Sequence, residues 1–311
     1  STCPNSTRQA PFRMDSKSIE ERVWLSLMIG NSRLHWALME KDSVTESWDS
    51  GHLGEIEEES EANHNVADGM VAKGIPLPFI TASAQDRLLG EGATIRSAHE
   101  RAQPTEEVEA TTACLLVDPV RFCVASVVPK EMRLWLRRCP GIIPLSSADA
   151  IKGLEEYPTL GVDRALALRG AARVRGWPAM VVDCGSALTF TACDENGRLA
   201  GGAILPGVRL QLRALGTRTA QLPSDIDRVV VLYPYPDVGW GLRWAMSTPG
   251  AIQSGVMWTI VEGIQSFVKD RWKLDPSATI VFTGGDGRYI HRLPVKRDET
   301  NNINIIINIR Y

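Results

Sequence analysis

The sequence predicts an α/β fold built twice over. Three observations carry this reading. Strand-like apolar runs alternate with helical periodicity, the pattern of α/β domains. A strand–turn–strand unit stands near the front, Trp24 to Met39, with the polar turn Gly30-Asn31-Ser32 at its centre. A second unit of the same kind runs from Met180 to Leu205, with an acidic residue at its first turn, Asp183-Cys184-Gly185-Ser186.

The elements follow in order. Trp24 to Ile29 reads as a buried strand, and Arg33 to Met39 as its return, with His35 and Ala37 alternating with Trp36 and Leu38. Residues 42–112 carry no chemistry-bearing pattern. Glu55 to Glu61 is a charge run suited to a solvated face, and Ala67 to Leu89 reads as helix and loop around Pro76 and Pro78. Leu115 to Val117 and Phe122 to Val128 read as strands. Lys130 to Arg138 reads as a helix with Met132, Trp135 and Leu136 on one side, and Ile142-Ile143 as a short strand. The boundary between the two halves is expected between Ile143 and Leu160.

The second half is more informative. From Arg164 the pattern is helical, with Leu168, Ala171, Ala172 and Val174 facing one way, and Gly176 stops it. Met180 to Val182 is a buried strand ending at Asp183. Leu188 to Cys193 returns to the turn Asp194-Glu195-Asn196-Gly197, whose Asn-Gly pair between apolar runs is a hairpin signal. A third strand leads to Leu205. Val208, Leu212 and Leu215 fall at helical spacing after Pro206-Gly207. Tyr233 to Ser247 reads as a loop. Gly250 to Lys269 is a long helix with a stripe of Ile252, Val256, Ile260, Ile264 and Phe267. Thr279 to Phe282 is a strand ending in Thr283-Gly284-Gly285. The tail NNINIIINIRY is low complexity and suits an edge strand or an aggregation-prone segment.

Bulk properties bound the function. The chain has 311 residues, 44% hydrophobic and 23% charged, with formal net charge −3. That supports about two domains and provides no basic field for nucleic acid. Six cysteines form no C-x-x-C pair, so neither zinc nor a disulfide framework is expected. No apolar run reaches the ~18 residues of a membrane span. Residues 1–22 lack the apolar core of a secretory signal and read as a disordered extension. A cytoplasmic protein is expected.

Two acidic residues stand out. Asp183 ends a buried strand beside a Gly-Ser turn, where small residues let backbone N–H groups approach phosphate and a carboxylate can hold its cation. An ordinary hairpin with a hydrated aspartate fits the same residues. Asp163 lies at or beside a helix start, which fits an N-cap as well as a fixed catalytic base. Arg164 beside it can grip a carboxylate bidentately.

Taken together, MIGNS at Met28–Ser32, ASVVP at Ala125–Pro129, GVDR at Gly161–Arg164, DCGSA at Asp183–Ala187, GGAILPG at Gly201–Gly207, TAQLP at Thr219–Pro223, AIQSG at Ala251–Gly255 and TGG at Thr283–Gly285 resemble the type III pantothenate kinases, the family that includes the Bvg accessory factor-like proteins. The resemblance covers Trp24 to Met39 and nearly all of Phe122 to Tyr289. It implies the duplicated, ribonuclease H-like fold of actin, the acetate and sugar kinases and the heat-shock ATPases, with two lobes and a central cleft. The lobes would be residues 23–150 and 151–295, followed by a tail at 296–311.

The resemblance also implies ATP-dependent phosphorylation of pantothenate, the first step of coenzyme A synthesis, by a homodimer with neither nucleic-acid nor membrane partners. It makes Asp163 the general base. It assigns Gly161, Val162, Asp163, Arg164 and Thr248 to pantothenate. It assigns Met28, Ile29, Gly30, Asn31, Ser32, Arg33, Leu34, His35 and Ser186 to ATP. It gives Asp183 to a monovalent cation, K⁺ or NH4⁺, with Mg²⁺ arriving on the nucleotide. One departure matters: the family has Asp at the position of Met28. Ser186 stands where it has Thr, and both side chains present a hydroxyl. Three rivals follow: a kinase of another small alcohol, a catalytically impaired regulator, and a plain nucleotide-binding module.

Overall fold

A computed structural model describes residues 23–40, 43–53, 75–76, 79–90, 93–96, 114–116, 122–139, 141–150, 152, 154, 157–219, 222, 243–290 and 305–307. The expectations for residues 1–22, for the charge run 55–61 and for most of TAQLP and of the loop before Ser247 lie outside the described residues. The chain divides into two compact units. The first comprises Ser1–Met28, Arg33–Val124 and Pro129–Pro144, and the second Ile29–Ser32, Ala125–Val128 and Leu145–Tyr311.

In the first unit, strands β1 (Val23–Ile29), β2 (Leu34–Glu40), β3 (Ser43–Ser50), β7 (Phe122–Ser126) and β8 (Ile143–Pro144) form a sheet in the order β3-β2-β1-β7-β8. The β2–β3 pair is antiparallel and the β7–β8 pair parallel. A smaller sheet, in the order β4-β6-β5, is made by β4 (Ile75–Pro76), β5 (Thr94–Arg96) and β6 (Cys114–Leu116). Helices α1 (Ala82–Gly90) and α2 (Pro129–Arg138) complete the unit. β3 went unseen in the sequence because SVTESWDS is a half-exposed edge strand with little apolar alternation.

Aromatic rings hold this unit together. Trp36 lies 6.1 Å from Trp48, 5.9 Å from Phe122 and 5.4 Å from Trp135, and Phe79 packs edge-on to Trp135 at 5.6 Å. The expected inner face of α2 is corrected. Its buried residues are Glu131, Trp135 and Arg138, and Leu136 is exposed. The reason is a buried hydrogen bond: the Glu131 carboxylate accepts the Leu53 N–H at 3.1 Å.

The second unit repeats the plan. Its strands are β9 (Ala179–Cys184), β10 (Ala187–Cys193), β11 (Leu199–Pro206), β12 (Thr279–Thr283) and β13 (Ile305–Ile307), in the order β11-β10-β9-β12-β13. β10 is antiparallel to both β9 and β11, whereas β12 runs parallel to β9 and β13. Counted within each sheet, both units read 3-2-1-4-5. The low-complexity tail therefore contributes the fifth strand, the edge-strand alternative of its sequence.

The β9–β10 register sorts the side chains. Met180, Val182, Cys184, Leu188, Phe190, Ile280 and Phe282 face a core closed by α5 (Val208–Arg218) and α6 (Thr248–Leu274). Val181, Asp183, Thr189, Thr191, Val281 and Thr283 take the opposite face by strand alternation. There α4 (Val162–Arg175) packs on β9 and β10, with the one-turn helix α3 (Ser147–Ala150) beside it. A last short helix, α7 (Gly287–Ile290), follows β12.

Two expected inner faces need correction. Val174 on α4 is exposed, and Arg164 takes an inner position. Phe267 on α6 is 45% exposed, although its ring stacks 4.2 Å from that of Phe190. Gly176, at φ +77, ends α4 as expected. Gly197, at φ +75, closes the hairpin turn, where the Asp194 carboxylate accepts the N–H groups of Asn196 and Arg198.

Trp135→Ala is expected to lower the unfolding free energy by about 3–5 kcal/mol in denaturant titrations, because it empties the centre of the aromatic cluster. Trp135→Phe should cost far less. It keeps a ring and removes an indole Nε1 that has no hydrogen-bond partner among the described residues.

Candidate functional site

The site is built on the second unit, starting from its two glycine turns. Ser32, in the turn after β1, lies with its hydroxyl oxygen 2.5 Å from that of Ser186, in the turn between β9 and β10. The first turn is tied in by the Val127 N–H, which donates to the Ile29 carbonyl at 3.0 Å. The second is seated on Gly207, the N-cap of α5, whose N–H donates to Ser186 O at 2.9 Å. A Cβ at Gly207 would lie 2.2 Å from the Gly185 carbonyl oxygen, so only glycine permits this approach. The two hydroxyls read as phosphate ligands are thus brought together.

Asp183 lies in β9, one residue before its end. Its register partners are Thr189 on β10 and Thr283 on β12, so a carboxylate and two hydroxyls share one face of three adjacent strands. The turn after β12 closes over this carboxylate. Gly284 has φ +82, and a Cβ there would meet Asp183 Oδ1 at 2.5 Å and the Cys184 carbonyl oxygen at 2.7 Å. The Asp286 N–H donates to that carbonyl at 3.0 Å. Burial pushes the Cys184 thiol well up, and the carboxylates of Asp183 and Asp286 push it further. Negative charge therefore gathers at this strand end. Asp286 was left without a role in the sequence reading; only its place after the glycine pair marked it.

Asp163 is the second residue of α4. The N-cap is Gly161, so the capping role open to Asp163 in the sequence is not the one it takes. Its Oδ1 accepts the Arg164 N–H at 2.8 Å. Gly161 is shaped around it: a Cβ at 161 would lie 2.5 Å from Asp163 Oδ1.

Arg164 is only 5% exposed. Its Nε donates to Thr191 Oγ1 at 2.9 Å and its Nη2 to the Phe190 carbonyl at 3.0 Å. The guanidinium also lies over the Tyr157 ring, 5.8 Å from its centroid. The fork that the sequence reading gave to a bidentate carboxylate grip is partly engaged within the protein. Two of its nitrogens are committed to β10, and Nη1 has no hydrogen bond among the described residues. Thr191 was missed, because its partner is 27 positions away and no local pattern links them.

Met28, 6% exposed, and Ile29 and Leu34, both fully buried, are core residues whose side chains are closed to a ligand. Arg33 and His35 are exposed at the Asp49 carboxylate, 3.9 and 2.8 Å away, in the first unit. Val162 is buried. Thr248 is exposed at the first turn of α6, behind the N-cap Ser247, whose hydroxyl accepts the Gly250 N–H at 3.3 Å. Cys123, Cys139, Cys184 and Cys193 are free, no described helix is long and apolar enough to cross a membrane, and no group of three or more His, Cys, Asp or Glu side chains forms a metal site among the described residues.

A sheet of order 3-2-1-4-5 made twice, with glycine turns at the strand ends, is the duplicated fold of the actin, sugar kinase and heat-shock ATPase class. Comparison with known proteins narrows this. A family model described as type III pantothenate kinase matches residues 79–270. A type III pantothenate kinase of Synechocystis sp. is 35% identical over 88% of this chain and 81% of its own. One from Nostoc sp. is 35% identical over 88% and 85%. Among solved structures, a Baf family transcriptional activator from Campylobacter jejuni covers 92% of this chain and 91% of its own, at 17% identity and a TM-score of 0.44. The chain belongs to the type III pantothenate kinase family.

The Gly161 contact yields a test that separates fold from chemistry. At φ −59 and ψ 142 the backbone of Gly161 accepts alanine, so the added methyl displaces only the end of the Asp163 side chain. Gly161→Ala should cost about 1 kcal/mol or less of stability, the scale of a helix N-cap. It should lower kcat by about 10²-fold, the scale of a ~1 Å misplacement. Thermal unfolding and steady-state kinetics check both.

Proposed function

We propose that the protein transfers the γ-phosphoryl group of ATP to the primary hydroxyl of pantothenate, giving 4′-phosphopantothenate, as a cytoplasmic enzyme. Family membership supports the reaction. The observation that carries it at the level of residues is the Asp163–Arg164 pair: a carboxylate at a helix start beside a buried guanidinium that has an uncommitted nitrogen.

The chemistry follows from those groups. Asp163 accepts the proton of the attacking hydroxyl. Arg164 Nη1 binds the substrate carboxylate. The Ser32 and Ser186 hydroxyls, now bonded to each other, turn to donate to phosphate oxygens, and the Gly30 and Asn31 turn backs them. Asp183, with the Thr189 and Thr283 hydroxyls on its face, is the oxygen-rich set that fits K⁺ or NH4⁺. Such a cation offsets negative charge where phosphate enters. Met28 offers no oxygen to Mg²⁺, so the metal would ride on the nucleotide phosphates and water, with Asp183 as the remaining carboxylate. Thr248 contributes to the pantothenate side.

A homodimer completes the reading. Trp244 is 86% exposed and Met246 fully so, next to Thr248, on a segment pinned by Arg243. Arg243 lies 4.4 Å over the Trp258 ring and 2.6 Å from Glu262. A pinned segment that offers two large apolar side chains suits a second copy.

The buried Met28, where the family has Asp, supports one second reading, a catalytically impaired regulator. One assay separates the two. ATP consumption should require pantothenate, and Asp163→Asn should lower it by about 10²–10⁴-fold without unfolding the protein. A wild type that binds ATP without turnover would favour the regulator.

The cation has its own test. Turnover should be faster in K⁺ or NH4⁺ buffer than in Na⁺ buffer, and Asp183→Ala should abolish the difference together with most activity. Equal rates for wild type in all three buffers would remove the cation from the scheme.

A further inference from the structure

Among the described residues the second unit buries two arginines, and the contrast between them is informative. Arg271, 8% exposed, has its own carboxylate: Nη2 lies 3.2 Å from Asp275 Oδ2 and 3.2 Å from the Cys193 carbonyl. Arg164 is buried as deeply, yet it forms no ion pair among the described residues. Its protein acceptors are neutral, the Thr191 hydroxyl and the Phe190 carbonyl. The neighbouring Asp163 carboxylate is turned to the Arg164 backbone N–H.

A buried cation held only by neutral groups is an expensive way to join a helix to a strand, because the desolvation of its charge goes uncompensated. Such a charge is useful when its counter-ion arrives from outside. Its direction must then be set beforehand, since a long side chain left free would lose rotamer entropy at each binding event. β10 provides that setting. Thr191 Oγ1 takes the Nε–H, the Phe190 carbonyl takes Nη2, and the plane of the fork is defined. Gly202 on β11, the register partner of Thr191, keeps the space open: a Cβ there would lie 2.1 Å from the Phe190 carbonyl oxygen and 2.3 Å from Arg164 Nη2.

We infer that Thr191 is a positioning residue that aims the Arg164 guanidinium at the carboxylate of the substrate, with Gly202 clearing the space that the guanidinium fills. The inference rests on the pantothenate reading. It adds a specificity device: the enzyme selects small alcohols that carry a carboxylate, through a residue that never touches them.

Thr191→Val keeps the shape of the side chain and removes the acceptor. It should raise the KM for pantothenate by about tenfold or more, with a smaller effect on kcat. Thr191→Ser restores the hydroxyl and should bring KM back to within about threefold of wild type. A merely structural role would instead lower the unfolding temperature and the active fraction, leaving KM where it was. Thr191→Ala serves if valine proves too bulky for folding. An unchanged KM in a folded Thr191→Val or Thr191→Ala protein, or a serine variant no better than valine, overturns the inference and leaves the kinase reading intact. A wild type that neither binds pantothenate in calorimetry nor phosphorylates it overturns that reading, and the inference falls with it.

Discussion

The pairing of β9 with β10 on one side and β12 on the other is the constraint on which the second unit depends. It is a mixed arrangement, antiparallel to the first neighbour and parallel to the second, and its register is set by which residues must be buried. A slip of one residue would turn Val182 and Phe190 out of the core and Asp183 into it. In the observed register the apolar positions meet α5 and α6, and the polar positions at the strand ends come together on the other face. The hydrophobic core and the candidate site are two faces of one pairing.

Glycines then allow backbone to approach backbone where side chains could not fit. Gly207 lets the N-terminus of α5 rest on the Gly185–Ser186 turn, and Gly284 lets the turn after β12 close over Asp183. Both contacts bring small residues to the strand ends and close them with backbone hydrogen bonds. Gly161 and Gly202 act differently. Gly161 leaves room for Asp163 Oδ1, and Gly202 leaves room for both the Phe190 carbonyl and Arg164 Nη2.

The first unit follows the same sheet order on a different foundation. Its centre is a set of stacked and edge-on rings around Trp36 and Trp135, with Phe79 and Phe122 closing it. Such a cluster buries much area with few rotatable bonds, which suits a unit whose edge strands are short or polar. Its polar groups are used internally. The Trp48 indole N–H donates to the Phe79 carbonyl at 2.7 Å, and the Trp36 indole N–H donates to Ser50 Oγ at 2.9 Å, fixing both rings.

The sequence by itself determined the α/β class, the family, and the elements whose patterns are local: β1 and β2, the β9–β10–β11 meander with its Asn-Gly turn, α4 up to Gly176, and α6. Periodicity and turn chemistry act over a few residues, so they are legible in a single chain. The polar edge strand β3 was not, because its stability comes from its neighbour β2 rather than from apolar alternation. Nor were the true inner faces of α2 and α4, where Glu131 and Arg164 are buried by hydrogen bonds to residues 78 and 27 positions away. Only the tertiary structure decided that Asp183, Thr189 and Thr283 share a face, that Ser32 meets Ser186 across 154 positions, and that the Arg164 fork is committed to β10. The reason is physical. A side chain's type is written locally, but its partners are set by strand register and close packing, which only the folded chain brings about.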